Sequence, residues 1–232
     1  MKSLYQNAQN AGYWYPRLTL FALETILLVI SSWMLFLDGT EVLNTVFHWN
    51  LTHGNAGRNL LLFILILIVF VRMKFTMFYL LRRAMPWQEA FSVPAAFSLY
   101  YIVIPLLSLT RNKPLNGWDI VFAVIFVTGS IFNSHSEWLR HLWKQKPEHK
   151  GKLYTGGYFR YSVHINYFGD VLWVLAMALT AWNAWALLVP LWLVCFFAFY
   201  NIPMLDKYLA EKYDNDFEHY RKKTKTFISF IF

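Results

Sequence analysis

Two carboxylates fall inside apolar runs of this chain. A charge at that depth is costly enough to demand a partner or to mark a function. Glu24 lies within LTLFALETILLVISSWMLFL, residues 18–37, and Asp170 lies in the run that begins at Ile165. Glu24 has two readings. It is either the partner of Arg72 or Lys74, the cations that interrupt a second apolar run, or a carboxyl facing a substrate cavity and donating to a carbonyl oxygen. Arg72 and Lys74, near a helix end, either snorkel to the surface or reach phosphates. Asn166 stands four residues before Asp170, so on a helix the two share a face and form a polar stripe with no reason to meet lipid. Asn133, His135 and Glu137 alternate at the end of another apolar run. Asn133 and Glu137 share a helix face, which suits an amide or a ribose hydroxyl, or simply a helix end meeting water. Between these groups, the stretch Asn133–Asp170 carries Arg140, Lys144, Lys146, Lys150, Lys152 and Arg160, together with the Gly156-Gly157 pair. Such a basic insertion can hold a large anionic ligand against the membrane face or attract anionic headgroups. The histidines show no metal-ligand spacing, so no metal is expected, and the single Cys195 excludes an internal disulfide.

The elements that must position these residues are membrane helices. Of the 232 residues, 57% are hydrophobic and 15% charged, against about 25% charged in soluble domains. The apolar runs predict an all-α polytopic bundle of about six transmembrane helices plus cytoplasmic interfacial helices. The spans fall near 18–37, 59–81, 93–109, 118–138, 165–181 and 184–205. The first reads as a retained helix and not as a cleaved signal. Pro105 is expected to kink the third. No linker divides the chain, so a single membrane domain, 1–232, is expected, with 1–132 on the substrate side and 133–232 binding the cofactor. With the N-terminus inside, sixteen of the twenty-one Lys and Arg, Lys2 among them, fall on one side, Arg72 and Lys74 lie within the second span, and Arg58, Arg111 and Lys113 fall outside. The positive-inside rule then places both termini and the basic loop in the cytoplasm. The formal charge of +8 is thus a membrane-face charge, and no nucleic acid is expected. After Asp206 the tail reads as interfacial helix, with a capping box at Asn215 and Glu218 where it breaks and restarts.

The block GGYFRYSVHINYFGD at 156–170 resembles the Tyr-Ser-x-His-x-Asn-Tyr-x-Gly-Glu/Asp signature of the steroid 5-alpha-reductase C-terminal family. NSHSEW at 133–138 is similar to a helix end of the same family, and KYDNDFEHYRKKTKTFISFIF at 212–232 to its closing segment. The resemblance implies an NADPH-dependent membrane reductase of an activated carbon–carbon double bond, an enone in a steroid or other lipid. It implies cofactor contacts at Asn133, Glu137, Lys144, Arg160, Tyr161, Asn166, Asp170, Tyr213 and Tyr220. It also implies a carbonyl-polarising carboxyl at Glu24 and an acidic residue near the reacting end at Asp206. This sequence departs from the family pattern at Glu137, Lys144, Val163 and Ser229, and the substrate-side tyrosine has no aligned match. Tyr79, Tyr100 and Tyr101 all remain open for it.

A membrane methyltransferase using S-adenosylmethionine is the alternative, because the isoprenylcysteine and phospholipid enzymes share a small-helix architecture and a related loop. This chain has Val163-His164-Ile165-Asn166 where they carry Arg-His-Pro-x-Tyr, and it adds the NSHSE block. A scaffold or lipid-binding protein without chemistry is a third reading. The expected location is a bacterial inner membrane or the endoplasmic reticulum. The expected partners are membrane lipids and a lipid or steroid substrate, with no obligate protein partner.

Overall fold

The structure, a computed structural model, describes residues 14–227. Lys2 and the end of FISFIF, with Ser229, lie outside the described residues. The helices are α1 (Tyr15–Phe36), α2 (Gly39–Phe47), α3 (Ala56–Leu80), α4 (Trp87–Ser108), α5 (Gly117–Lys144), α6 (Ile165–Thr180), α7 (Ala184–Tyr213) and α8 (Asn215–Lys223). Among the described residues there is no strand, only one isolated parallel bridge between Ser162 and Lys225. The all-α polytopic membrane fold expected from the apolar runs is borne out: α1, α3, α4, α5 and α7 are long and apolar enough to cross a membrane. Helix α6 is a shorter apolar helix of 16 residues, about 24 Å long against a hydrocarbon core of about 30 Å. Phe199, Ile120 and Trp185 are 82%, 71% and 69% exposed. Large apolar side chains left open in this number suit a surface that lipid solvates. Helix α2, inside a stretch read from sequence as a loop, is the element the apolar runs do not announce.

Local chemistry sets the helix ends. Pro16 opens α1, where its missing N–H is no loss. The Asn55 side chain accepts from Arg58 N to cap α3, and Asn183 does the same for Trp185 N at the start of α7. Pro105 and Pro203 do not simply kink their helices. Each stands two residues after the end of a π-helical turn, Leu99–Val103 and Phe197–Asn201. The wider turn gives the proline ring room beside the carbonyl four residues back, which a tight α-turn would press against it. Two further π turns, Thr76–Leu80 and Ile131–His135, lie in α3 and α5. Helix α7 ends at Tyr213 because Asp214 takes φ 45°, and α8 restarts at Asn215. The break falls where the sequence suggests, but the capping box does not form. Asp214 is the cap residue, its backbone oxygen accepts from Phe217 N and Glu218 N, and no side chain caps the end.

The chain folds as two compact units, one formed by the residues up to Val124 with Val174–Pro190, the other by Ile125–Trp173 with Leu191 onward. In the first, Met34, Leu35 and Leu109 form one core cluster and Leu20, Met77, Met85 and Ala90 another. Between its helix ends Arg58 is 1% exposed and pairs with Asp119 through both oxygens, at 2.8 and 3.0 Å. Its remaining N–H groups reach the carbonyls of Lys113, Pro114 and Thr180. Arg58 thus belongs to the interior, not to the solvated outer loop in which the sequence count places it. In the second unit, Val163, Tyr213, Phe217 and Tyr220 make the core. The tail is strapped to the start of α6: Val163 N donates to Lys225 O, His164 N to Thr226 O, and Ser162 Oγ to Phe227 O.

Arg58→Ala leaves Asp119 buried and uncompensated. A loss of about 3–5 kcal/mol is expected in thermal or denaturant unfolding in detergent, and the Arg58→Met/Asp119→Leu pair recovers much of it.

Candidate functional site

In the first unit, Glu24 sits about 14 Å along α1 from its start and is 0% exposed. Lys74, on α3, donates to Glu24 Oε2 at 2.6 Å. The Lys74 ammonium also lies over the faces of Phe70 and Phe21, 4.4 and 5.1 Å from the ring centroids. Of the two readings of Glu24, pairing with Lys74 is present, but it engages only one oxygen. Oε1 is buried with no hydrogen-bond partner. The same holds for the hydroxyl of Tyr101, a residue that is 0% exposed, within electrostatic reach of Glu24 and Arg72, and carried on the π turn ahead of Pro105. Of the three tyrosines open from sequence, Tyr79 is half exposed, and Tyr101 is the one whose hydroxyl is sealed and unpartnered beside the carboxyl. Its only sequence signal is a proline four residues on.

In the second unit the polar residues of α5 and α6 interlock. Asn166 Nδ2 donates to Glu137 Oε1 at 2.9 Å, and Asn133 Nδ2 donates to the Asn166 carbonyl at 3.3 Å. Glu137 Oε2 receives Arg140. The helices can approach this closely because Gly129 and Gly169 face each other. A Cβ on Gly169 would stand 2.5 Å from Asn133 N and 2.6 Å from Gly129 O. The Asn133–Glu137 pair expected from spacing therefore meets Asn166. Asp170, expected to stripe with Asn166, accepts from Trp173 Nε1 at 2.8 Å. His135 is drawn in through Nδ1 to the Tyr158 hydroxyl at 3.2 Å.

The basic loop is held by aromatic packing. Trp143 stacks on His149 at 3.9 Å, and Tyr154 packs against Trp143 and Phe159. Gly157 takes φ 56°, and a Cβ there would stand 2.9 Å from the Tyr154 hydroxyl. The Gly pair thus makes the tight turn expected, with a side chain of the loop itself closing on it. Lys144 Nζ lies 3.3 Å from the Tyr213 hydroxyl. Arg160 is exposed beside Tyr161, which is 50% exposed. Arg160 also lines an open cleft of about 900 Å³ shared with His219, Lys222 and Lys223. Tyr220 faces inward. Its hydroxyl donates to Phe159 O at 2.5 Å, and burial pushes its phenol above the ordinary tyrosine range against the pull of Arg140, so it stays protonated and donating. Asp206 is 6% exposed. Its Oδ1 lies 2.8 Å from His164 Nε2, and its Oδ2 3.4 Å from Arg221. The sequence reading missed this His164 partner, since the two stand 42 positions apart.

The donor set of this unit fits an anionic dinucleotide. It offers Lys144 and Arg160 as cations, amide and carboxylate groups at Asn133, Glu137, Asn166 and Asp170, and an exposed ring at Tyr161. Among the described residues no cluster of His, Cys, Asp and Glu could hold a metal ion.

A family described as "Protein of unknown function (DUF1295)" matches residues 90–224. Over 122 residues the chain is 29% identical to the human protein 3-oxo-5-alpha-steroid 4-dehydrogenase 2, covering 50% of this chain and 46% of that one. The Macaca fascicularis protein of the same name is 30% identical over the same shares. Human 3-oxo-5-alpha-steroid 4-dehydrogenase 1 is 33% identical over 110 residues, 47% of this chain and 40% of that one. The chain spans about half the length of the curated relatives it matches. The steroid 5-alpha-reductase-like resemblance drawn from the loop and tail motifs is borne out.

Gly169→Val drives a side chain into the backbone of α5 and breaks the register of Asn166 with Glu137. Overpacking of this kind costs about 1–3 kcal/mol, and a lowered unfolding temperature in detergent is the expected readout.

Proposed function

Because the chain belongs to the DUF1295 family and resembles the steroid 5-alpha-reductases, we propose that it is an NADPH-dependent membrane oxidoreductase acting on an activated C=C bond, the enone of a steroid or other lipid. One observation carries the reading: Glu24 Oε1 and the Tyr101 hydroxyl are both sealed from solvent, close enough to interact electrostatically, and without partners. Polar atoms left open at that depth fit a ligand that brings its own polar atom, such as a ketone oxygen in an apolar body.

The Tyr101 hydroxyl donates to the substrate carbonyl, and Glu24 in its acid form donates from Oε1. Both donors strengthen as negative charge gathers on that oxygen. NADPH, when bound, would supply the hydride of the reaction. Lys144 and Arg160 would hold its phosphates, Asn133, Glu137, Asn166 and Asp170 would take its amide and hydroxyl groups, and Tyr161 would offer a ring face. Tyr213 orients Lys144, and Tyr220 fixes the loop through Phe159. Asp206 holds His164, and through it the residues that precede Asn166. The termini and the basic loop face the cytoplasm, in a bacterial inner membrane or the endoplasmic reticulum, as the Lys and Arg distribution supports.

The test uses the full chain in lipid nanodiscs, following nicotinamide absorbance with NADPH and a panel of enone steroids and enone lipids. Glu24→Gln and Tyr101→Phe are each expected to lower kcat about 10²–10³-fold, with NADPH binding retained. Thermal stabilisation by S-adenosylhomocysteine but not by NADP⁺, with no enone reduced, would replace this reading by the methyltransferase one.

A further inference from the structure

Two buried acid–base pairs in the first unit are built differently. Asp119 has both oxygens satisfied, by the Arg58 guanidinium and by Asn116 N. That arrangement is saturated, and Arg does not give up its proton in proteins. Glu24 is held on one oxygen only, by a lysine, and its other oxygen is empty. A lysine ammonium is a point charge that can release a proton. The pair is also asymmetric toward solvent: the Lys74 side chain is 14% exposed and that of Glu24 0%. Lys74 is thus the partly exposed member of the pair, while Glu24 Oε1 is buried without a hydrogen-bond partner.

We propose that Lys74 is the proton-loading residue of the reaction, passing a proton from the solvent side to Glu24. This rests on the enone-reductase reading. Reducing one C=C bond takes one hydride and one proton. When the β-carbon receives hydride with its electron pair, the π pair shifts to leave an enolate. The enolate oxygen takes the proton of Glu24 Oε1, giving an enol that becomes the ketone as its α-carbon gains a proton and its oxygen releases one to water. The transfer leaves a Glu24 carboxylate that the Lys74 ammonium stabilises across 2.6 Å. The ammonium then gives a proton to Oε2 and becomes a neutral amine. A half-turn of the carboxyl brings the proton to the interior side, and water at the exposed edge of Lys74 recharges the amine. The Phe21 and Phe70 ring faces hold the ammonium beside Glu24. Arg72 and Tyr101 are the other titratable groups acting here.

The experiment compares Lys74→Met and Lys74→Arg with the unaltered full chain in nanodiscs, using NADPH and progesterone as a 4-ene-3-oxo probe, in H2O and D2O. Lys74→Arg keeps the charge but cannot release a proton, so it separates relay from electrostatics. Both variants are expected to lose at least a hundredfold in kcat with KM within threefold, and to show a larger solvent isotope effect. A second readout needs no turnover. The infrared band of a protonated carboxyl is expected in the unaltered protein and is expected to vanish in Glu24→Gln. Lys74→Arg turning over at the unaltered rate, or no change in the isotope effect, overturns the relay while the reductase reading stands. If the unaltered protein reduces no enone with NADPH, both fall together.

Discussion

A carboxylate carried deep along a membrane helix has nothing outside the protein to solvate it, and this constraint organises the first unit. Lys74 answers it from α3 at 2.6 Å, set between two aromatic faces. An ion pair in low dielectric stabilises a fold only when the remaining lone pairs are also met. Asp119 with Arg58 meets that condition and Glu24 does not. Glu24 Oε1 and the Tyr101 hydroxyl are among the buried polar atoms left without a partner, and the proposed chemistry is placed on these two.

The second unit follows the opposite logic. Its polar groups are tied to one another: Glu137 to Asn166 and Arg140, Asn133 to the Asn166 carbonyl, Asp170 to Trp173, Lys144 to Tyr213. The tail closes this unit by laying residues 225–227 against 162–164. Such a network preorganises amides and cations before any ligand arrives, which reduces the ordering a dinucleotide would impose. The glycines at 129 and 169 are what let the two helices come close enough to build it.

The helical fold was legible because hydropathy alone carries it: every expected span reappears as a helix, with ends shifted by up to eight residues where polar ends extend the apolar run. The Glu24–Lys74 partnership was legible as one of two alternatives, because intramembrane charge is rare and only two cations were at hand. Tyr101 was not, since helical periodicity counts 3.6 residues per turn and the π turn before Pro105 changes which face a side chain presents. Arg58 misled for a different reason. A cation beside a polar loop looks solvated, and only the fold brings Asp119 and three carbonyls around it. His164 with Asp206 was hidden by sequence distance, and the Asn215 box failed because Asp214 in a left-handed conformation ends the helix by itself.

The most direct measurement is the fate of isotope. With 4-deuterated NADPH in ordinary water, the saturated product of an enone steroid should carry one deuterium, on the β-carbon, by mass spectrometry and NMR. With unlabelled NADPH in D2O, it should carry one carbon-bound deuterium on the adjacent carbon when the product is isolated at neutral pH. A product bearing no cofactor-derived label, or a methylated product formed with S-adenosylmethionine, would contradict the account.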